Sequence, residues 1–282
     1  MDNLYSEEPQ DELLIIGYSN CKEWENEPNC GLSFSNRIVG GKLAAVGKYP
    51  WLVRIGYGTS IKGRYQYLCG GTLIRKDVVI TAAHCIEPKR SPDIIHVGET
   101  QITCSRSPCT DTRIQEVKVK SVIKHSEFST VTGYADIALL KLERPVKYTD
   151  WVRPVCLSRK VVNDIGQKAI VAGWGMENYI TRERPSGLKE LTMEIIAGKV
   201  CKTSFPQADF NSKNYICGGG KPQEDTCGGD SGGPLMKILN LGDSPRMYLM
   251  GVISFGSTKC GVGKPGIFTA LLYHFDWIMD HV

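Results

Sequence analysis

The run Asp225-Thr226-Cys227-Gly228-Gly229-Asp230-Ser231-Gly232-Gly233-Pro234 sets one hydroxyl among glycines. Glycines leave backbone N–H groups free to converge on a point, and a tetrahedral oxyanion needs such donors about 3 Å away. A serine hydroxyl is a weak nucleophile until a base takes its proton, and the base needs a third group to fix its tautomer. Two other segments offer those partners. Thr81-Ala82-Ala83-His84-Cys85 follows the apolar run Val78-Val79-Ile80, so His84 stands at the end of a buried strand. Asp136-Ile137-Ala138-Leu139-Leu140 opens a second strand-like run with a carboxylate at its mouth. The chain order His84, Asp136, Ser231 is one of three unrelated orders in which this nucleophile–base–carboxylate set occurs. Six residues before Ser231, Asp225 is a carboxylate able to floor a cation-selective pocket.

The elements that must hold these groups read as β. Thirty glycines and many short apolar runs, among them Val78–Ala82, Ala169–Ala172 and Tyr248–Phe255, favour an all-β chain. Only the tail, Tyr273 to His281, has helical spacing, with Trp277, Ile278 and His281 on one face. At 282 residues the chain can bury one large core or two small ones. A net charge of +4, with basic residues scattered rather than striped, argues against a dedicated nucleic-acid or membrane binder. No apolar run approaches bilayer length. Eleven cysteines point to disulfides and an oxidising compartment, and the absence of a CxxC pair argues against zinc ligation.

In this setting the chain resembles the trypsin-like serine proteases of the chymotrypsin family over residues 38–282. The resemblance rests on Ile38-Val39-Gly40-Gly41, the TAAHC segment around His84, the DIALL segment from Asp136, Gly173-Trp174-Gly175, the GDSGGP segment around Ser231 and Lys264-Pro265-Gly266-Ile267-Phe268. It implies two six-stranded antiparallel β-barrels with a C-terminal helix and an active site in the cleft between them. His84 would act as general base and acid, Asp136 would orient it, Ser231 would attack, and the Gly229 and Ser231 amides would hold the oxyanion. It implies the disulfides Cys69–Cys85, Cys201–Cys217 and Cys227–Cys260, while Cys30–Cys156 would tether the segment before Arg37. Cys104 and Cys109, with four residues between them in a polar loop, are expected to close on each other, leaving Cys21 over.

Residues 1–37 are polar and acidic and read as a propeptide ahead of a protease domain at 38–282. The resemblance implies cleavage after Arg37, after which the Ile38 amine would turn inward and pair with Asp230, ordering the pocket and oxyanion loops. Asp225 at the base of a slot with small walls at Gly256 and Gly266 would select Arg or Lys, since a neutral guest leaves a buried charge unpaired. Ser254-Phe255-Gly256 resembles the strand that pairs with the substrate backbone, with Phe255 where a trypsin carries Trp. No cofactor or metal is expected: Glu99 resembles a first calcium ligand, but the Cys104–Cys109 insertion replaces the rest of that loop, and calcium needs several oxygens. No N-x-Ser/Thr sequon occurs.

Within the family the chain is most similar to the catalytic half of arthropod clip-domain proteases. The tethering cysteine pair, the Cys104–Cys109 loop, the SFG strand and a long loop at Lys237–Met247 carry that likeness. A clip module has six cysteines, whereas only Cys21 and Cys30 precede Arg37. The resemblance implies a secreted zymogen in an extracellular cascade of immunity, melanisation or coagulation. Its partners would be protein substrates cut after basic residues, an upstream activating protease and serpin-type inhibitors, with no nucleic acid or membrane. A venom or digestive protease, and a non-catalytic homologue working as a binding cofactor, are the alternatives. The start carries no basic, adequately apolar leader, so a true start upstream, or one processed away, is expected. Lys62 with Arg64, and Arg182 with Arg184, are read as solvated loop charges or as an exosite for an acidic partner.

Overall fold

The computed structural model describes residues 24–32, 42–87, 90–104, 107–161, 165–177, 180–208, 214–222, 226–242, 244–257 and 259–282. Arg37, Ile38, Asp225 and Cys21 lie outside the described residues. After β1 (Lys42–Leu43), six strands close the first barrel: β2 (Leu52–Gly58), β3 (Tyr65–Arg75), β4 (Val78–Thr81), β5 (Ile94–Val97), β6 (Gln115–Lys124) and β7 (Ala138–Leu142), in the order β2-β3-β4-β7-β6-β5. The second barrel is built from β8 (Lys168–Gly173), β9 (Lys189–Ile196), β10 (Tyr215–Gly219), β11 (Pro234–Leu239), β12 (Arg246–Phe255) and β13 (Pro265–Ala270). Its order β9-β10-β13-β12-β11-β8 is closed by β8 pairing back on β9, and β1 adds to the outside of β9. Closure matters because it leaves no ladder edge unpaired within each ring.

The two six-stranded antiparallel barrels are those the resemblance implies. Two details differ from the sequence reading. Lys237–Met247 is not a long loop: β11 and β12 continue as a hairpin pairing Lys237 with Tyr248 and Leu239 with Arg246, leaving a connection of only 240–245. A short helix α1 (Gly198–Ser204) has no counterpart in that reading, since seven residues with Val and Thr inside give little helical pattern. The tail forms a 3₁₀ turn at Leu271–His274 followed by α2 (Phe275–His281).

A continuous core crosses the interface between barrels. Trp51 is fully buried and its Nε1 donates to Met236 Sδ of β11 at 3.0 Å. The segment 24–32 is docked rather than merely tethered. Besides Cys30–Cys156, Asn26 brackets the Leu157 backbone, donating Nδ2–H to its carbonyl at 2.8 Å and accepting its amide at 2.9 Å. Arg246 Nη1 donates to the carbonyls of Pro28 and Cys30 at 2.6 and 3.2 Å.

The docking of α2 carries a pH-sensitive group. His274 is buried, its ring lies edge-on to His125 at 5.1 Å, and its Nε2 has no hydrogen-bond partner among the described residues. Desolvation, reinforced by His125, pulls its pKa down to about 4. The unfolded chain therefore takes up a proton at this site that the fold refuses, and stability falls as pH drops from about 6.5 toward 4. Over that window His274→Phe should remove about 3 kcal/mol of the acid-induced loss, read from denaturant midpoints at each pH. Parallel pH profiles for the two proteins would rule this out.

Candidate active site

His84 lies in a 3₁₀ turn, Ala83–Cys85, directly after β4, and Cys85 is held to β3 by the disulfide with Cys69. Asp136 precedes β7, which pairs with β4, so the ladder that joins these strands also brings their ends together. Ala135 has φ +52, a left-handed backbone that a non-glycine residue rarely adopts, and the Ile137 amide closes on its carbonyl at 2.8 Å. That turn points Asp136 inward. Its Oδ2 lies 2.7 Å from His84 Nδ1, and its Oδ1 accepts the His84 backbone amide at 2.8 Å.

The second barrel completes the grip. Ser254 donates its hydroxyl to Asp136 Oδ2 at 2.5 Å, and Thr269 of β13 donates to the Asp136 carbonyl at 2.9 Å. A register shift between Ile253 and Phe255 re-aims Ser254 toward the seam. Sequence reasoning placed Ser254 only on the substrate strand; its bond to Asp136 was invisible because a one-residue bulge decides which way the hydroxyl faces. Burial alone would pull the His84 imidazole down, but the hydrogen bond and charge of Asp136 outweigh it, and the ring titrates above its usual value. Asp136 is 2 % exposed, whereas a third of the His84 side chain faces the cleft.

Ser231 enters the same cleft, a cavity of about 530 Å³ that it lines with His84, Asp136, Ser254, Phe255 and Gly256. Its carbonyl accepts the Gly70 amide at 2.8 Å, fixing the loop to the first barrel. Gly229, with φ +105, and Ser231 keep their amides free: neither N–H donates to an acceptor among the described residues. Only glycine suits Gly232 as well, because a Cβ there would lie 2.2 Å from Thr81 Oγ1 at a φ of +79. The cleft extends to Thr226, next to Asp225 in sequence; Gly256 lines it, while Gly266 is buried on β13, where an added Cβ would lie 3.7 Å from Thr226 Oγ1. Phe255 both lines the cleft and packs edge-to-face on Phe205 at 5.7 Å.

Asp230 points away from the cleft. Its carboxylate accepts the amides of Gly175 at 2.7 Å and Cys227 at 3.0 Å, and it lines a second cavity of about 410 Å³ together with Val171, Ile180, Glu190 and Leu191. Desolvation raises its pKa despite those two amides and the charge of Arg184. Among the described residues no cation forms an ion pair with it; Lys189, which lines the same cavity, is paired with Glu177. Arg184, read from sequence as solvated loop charge, does reach solvent, but its guanidinium lies against Gly229, 3.1 Å from where a Cβ would sit.

The expected cysteine pairs Cys30–Cys156, Cys69–Cys85, Cys104–Cys109, Cys201–Cys217 and Cys227–Cys260 are all formed. At the position resembling a calcium ligand the residues do not fit the ion. Glu99 is buried with Arg54 Nη1 2.7 Å from its Oε2, and His96 stands on the other side, so a guanidinium already holds the place of a cation. The one cluster of potential ligands among the described residues, Cys69, His84 and Cys85, has two sulfurs consumed in a disulfide.

Comparisons with known proteins agree with this geometry. The family model described as Trypsin matches residues 38–278. The chain is 34 % identical to the Spaetzle-processing enzyme of Drosophila melanogaster, over 88 % of its own length and 67 % of that protein's. It is 34 % identical to Phenoloxidase-activating enzyme 1 of Spodoptera litura, covering 90 % and 69 % of the two chains. It is 30 % identical to the CLIP domain-containing serine protease B4 of Anopheles gambiae, covering 90 % and 73 %. The chain therefore spans about two thirds to three quarters of these relatives. Among solved structures, neuropsin, a serine protease of mouse brain, superposes with a TM-score of 0.70 at 27 % identity, over 85 % of this chain and 97 % of that one. With His84 hydrogen-bonded to Asp136 in the cleft that Ser231 lines, this chain belongs to the trypsin family and is a serine endopeptidase.

Proposed function

We propose that the protein is a secreted zymogen, activated by cleavage after Arg37, that hydrolyses bonds after Arg or Lys in other extracellular proteins. The observation that carries the zymogen reading is Asp230, a desolvated carboxylate that forms no ion pair among the described residues, the Lys189 of its cavity being held by Glu177. The N-terminal stretch of the protease domain is anchored beside that cavity. Lys42 pairs with Glu190 across β1 and β9, Lys48 Nζ sits 2.7 Å from Glu190, and Tyr49 donates to the same carboxylate at 2.7 Å. Glu190 also lines the cavity. From Lys42 back to Ile38 is four residues, a reach of up to about 14 Å when extended. A freed Ile38 amine would turn into that cavity and pair with Asp230.

In the cleaved enzyme His84 takes the proton of Ser231 as the hydroxyl attacks the scissile carbonyl. The free Gly229 and Ser231 amides bind the oxyanion, and His84 returns the proton to the leaving amine. Asp225 would meet the basic side chain of the substrate beyond Thr226. The relatives named for processing Spaetzle and activating phenoloxidase support a role in an extracellular proteolytic cascade of immunity or melanisation, with an upstream activating protease and serpin-type inhibitors as partners. A non-catalytic cofactor role is disfavoured by Ser231 standing with both of its partners.

The decisive experiment labels Ser231 with a fluorophosphonate before and after cleavage at Arg37. Labelling should rise by orders of magnitude on cleavage, and Arg37→Gln should abolish that rise; full labelling of the intact chain would end the zymogen reading. Asp225→Ser should remove turnover of arginyl and lysyl amides, and an unchanged rate would refute the pocket assignment. Asp136→Asn should cost about 10⁴ in turnover, the loss seen in the archetypal triad. Because His84 titrates above its usual value, kcat/KM should fall as pH drops through that raised pKa, where the base becomes protonated. It should fall again in alkali as the Ile38 amine, unperturbed at about 7.7–8.0 and held higher by its partner, loses its charge. Full activity after acetylation of that amine would exclude the ion pair.

A further inference from the structure

The loop joining β2 to β3 and the Cys104–Cys109 loop are built as one unit. Within the first, Thr59 donates its amide and hydroxyl to the Arg64 carbonyl at 3.2 and 3.1 Å, and the Arg64 amide donates to Ile61 at 3.0 Å. The second buttresses it: the Ser107 amide donates to the Gly63 carbonyl at 3.1 Å, and the Ser107 hydroxyl donates to Glu116. This hydrogen-bonded corner borders a groove of about 430 Å³ that also meets β6. The charged groups lining the groove are Lys62, Arg64, Lys118 and Asp93. The three cations are exposed, and none of their side chains has a hydrogen-bond or ion-pair partner among the described residues. Asp93 is engaged by the Gly58 amide at 2.5 Å, and Glu116, close by, faces His96 at 3.0 Å. The lining residues therefore set three cations against one carboxylate, an excess of two that Glu116 at the edge reduces without cancelling.

The position of the groove gives it a direction. β3 runs from Tyr65 at the groove to Gly70, whose amide holds Ser231. Five steps of about 3.3 Å put the two ends about 16 Å apart. Tyr67, Cys69 and Gly70 border a depression with Gly229 and Arg184, on a flank of Ser231 that Ser254, Phe255 and Gly256 do not line. An extended chain whose acyl half follows Ser254–Gly256 would send its leaving half along this flank. We propose that the groove is a docking site for an acidic stretch of a protein substrate, about four to six residues beyond the scissile bond on the leaving side. This rests on the endopeptidase reading above.

The test uses the chain cleaved at Arg37. Two peptides share one arginine at the cleavage point and differ only in a downstream stretch, acidic or neutral, four to six residues on. At low salt the acidic peptide should be cut with about tenfold higher kcat/KM, as expected for steering by a few surface charges. The advantage should vanish in about 1 M salt, where screening acts over about 3 Å. Lys62→Gln/Arg64→Gln/Lys118→Gln should abolish it while leaving hydrolysis of a tail-less arginyl amide unchanged. Equal rates for the two peptides, or a preference that survives the triple variant, would overturn the proposal. Binding of the acidic peptide to the cleaved Ser231→Ala chain, followed by fluorescence anisotropy, reads the groove without turnover. Loss of arginyl cleavage with binding intact would therefore count against the proposed specificity alone. Saturable binding of heparin at the three cations with none of the acidic peptide would assign the groove to a sulfated polysaccharide and overturn the proposal.

Discussion

One carboxylate ties the molecule together. Asp136 is buried where the barrels meet, and both barrels spend polar groups on it: His84 gives a ring nitrogen and an amide, Ser254 a hydroxyl, and Thr269 a hydroxyl to its carbonyl. A buried charge left unpaired costs several kcal/mol, so this set cannot relax by letting one partner go. The barrels are therefore locked in one relative position at the point where the His84 imidazole faces the cleft that Ser231 lines. The same logic repeats a few ångströms away, where Gly70 holds the Ser231 carbonyl and Thr81 Oγ1 donates to the Gly70 carbonyl at 2.8 Å.

Two carboxylates on the two sides of Ser231 are treated oppositely, and the contrast explains how reactivity can be gated. Asp136 is saturated by donors and leaves His84 a stronger base. Asp230, one residue from Ser231, has two amides and the more distant charge of Arg184, with its pKa raised by desolvation. A cation delivered to Asp230 acts on the backbone that carries Gly229 and Ser231, the two amides left free. On the zymogen reading proposed above, the chemistry is assembled at one carboxylate and withheld at the other. A switch of this kind needs no movement of the His84–Asp136 pair.

The sequence made some of this legible and hid the rest for physical reasons. His84 and Asp136 could be singled out because each sits at the end of a short apolar run, and Ser231 because it stands among glycines, both of which survive as one-dimensional patterns. The barrel strands were visible for the same reason. Ser254 as a partner of Asp136, the left-handed turn at Ala135 and the hairpin extension at Lys237–Met247 were not visible. They depend on register, and one residue of slip reverses which face a side chain takes. Arg54 with Glu99 was hidden differently: two residues 45 positions apart in sequence meet only through barrel closure between β2 and β5.

That ion pair also bears on how the first barrel supports the site. With Arg54 and Glu99 both buried, removing either would strand the other, at a cost of about 3–5 kcal/mol. A protein cation fixed by the chain differs from a bound metal in one consequential respect: it cannot be lost to dilution or to a chelator. The strand that carries Arg54 pairs with β3, where Arg54 stands opposite the Gly70 that holds Ser231. The loops beyond β3 are closed by their own disulfide and by the Ser107 amide on Gly63. The first barrel's flank of the cleft is therefore joined to the Ser231 loop by backbone pairing and backed by a buried ion pair that neither member can leave cheaply.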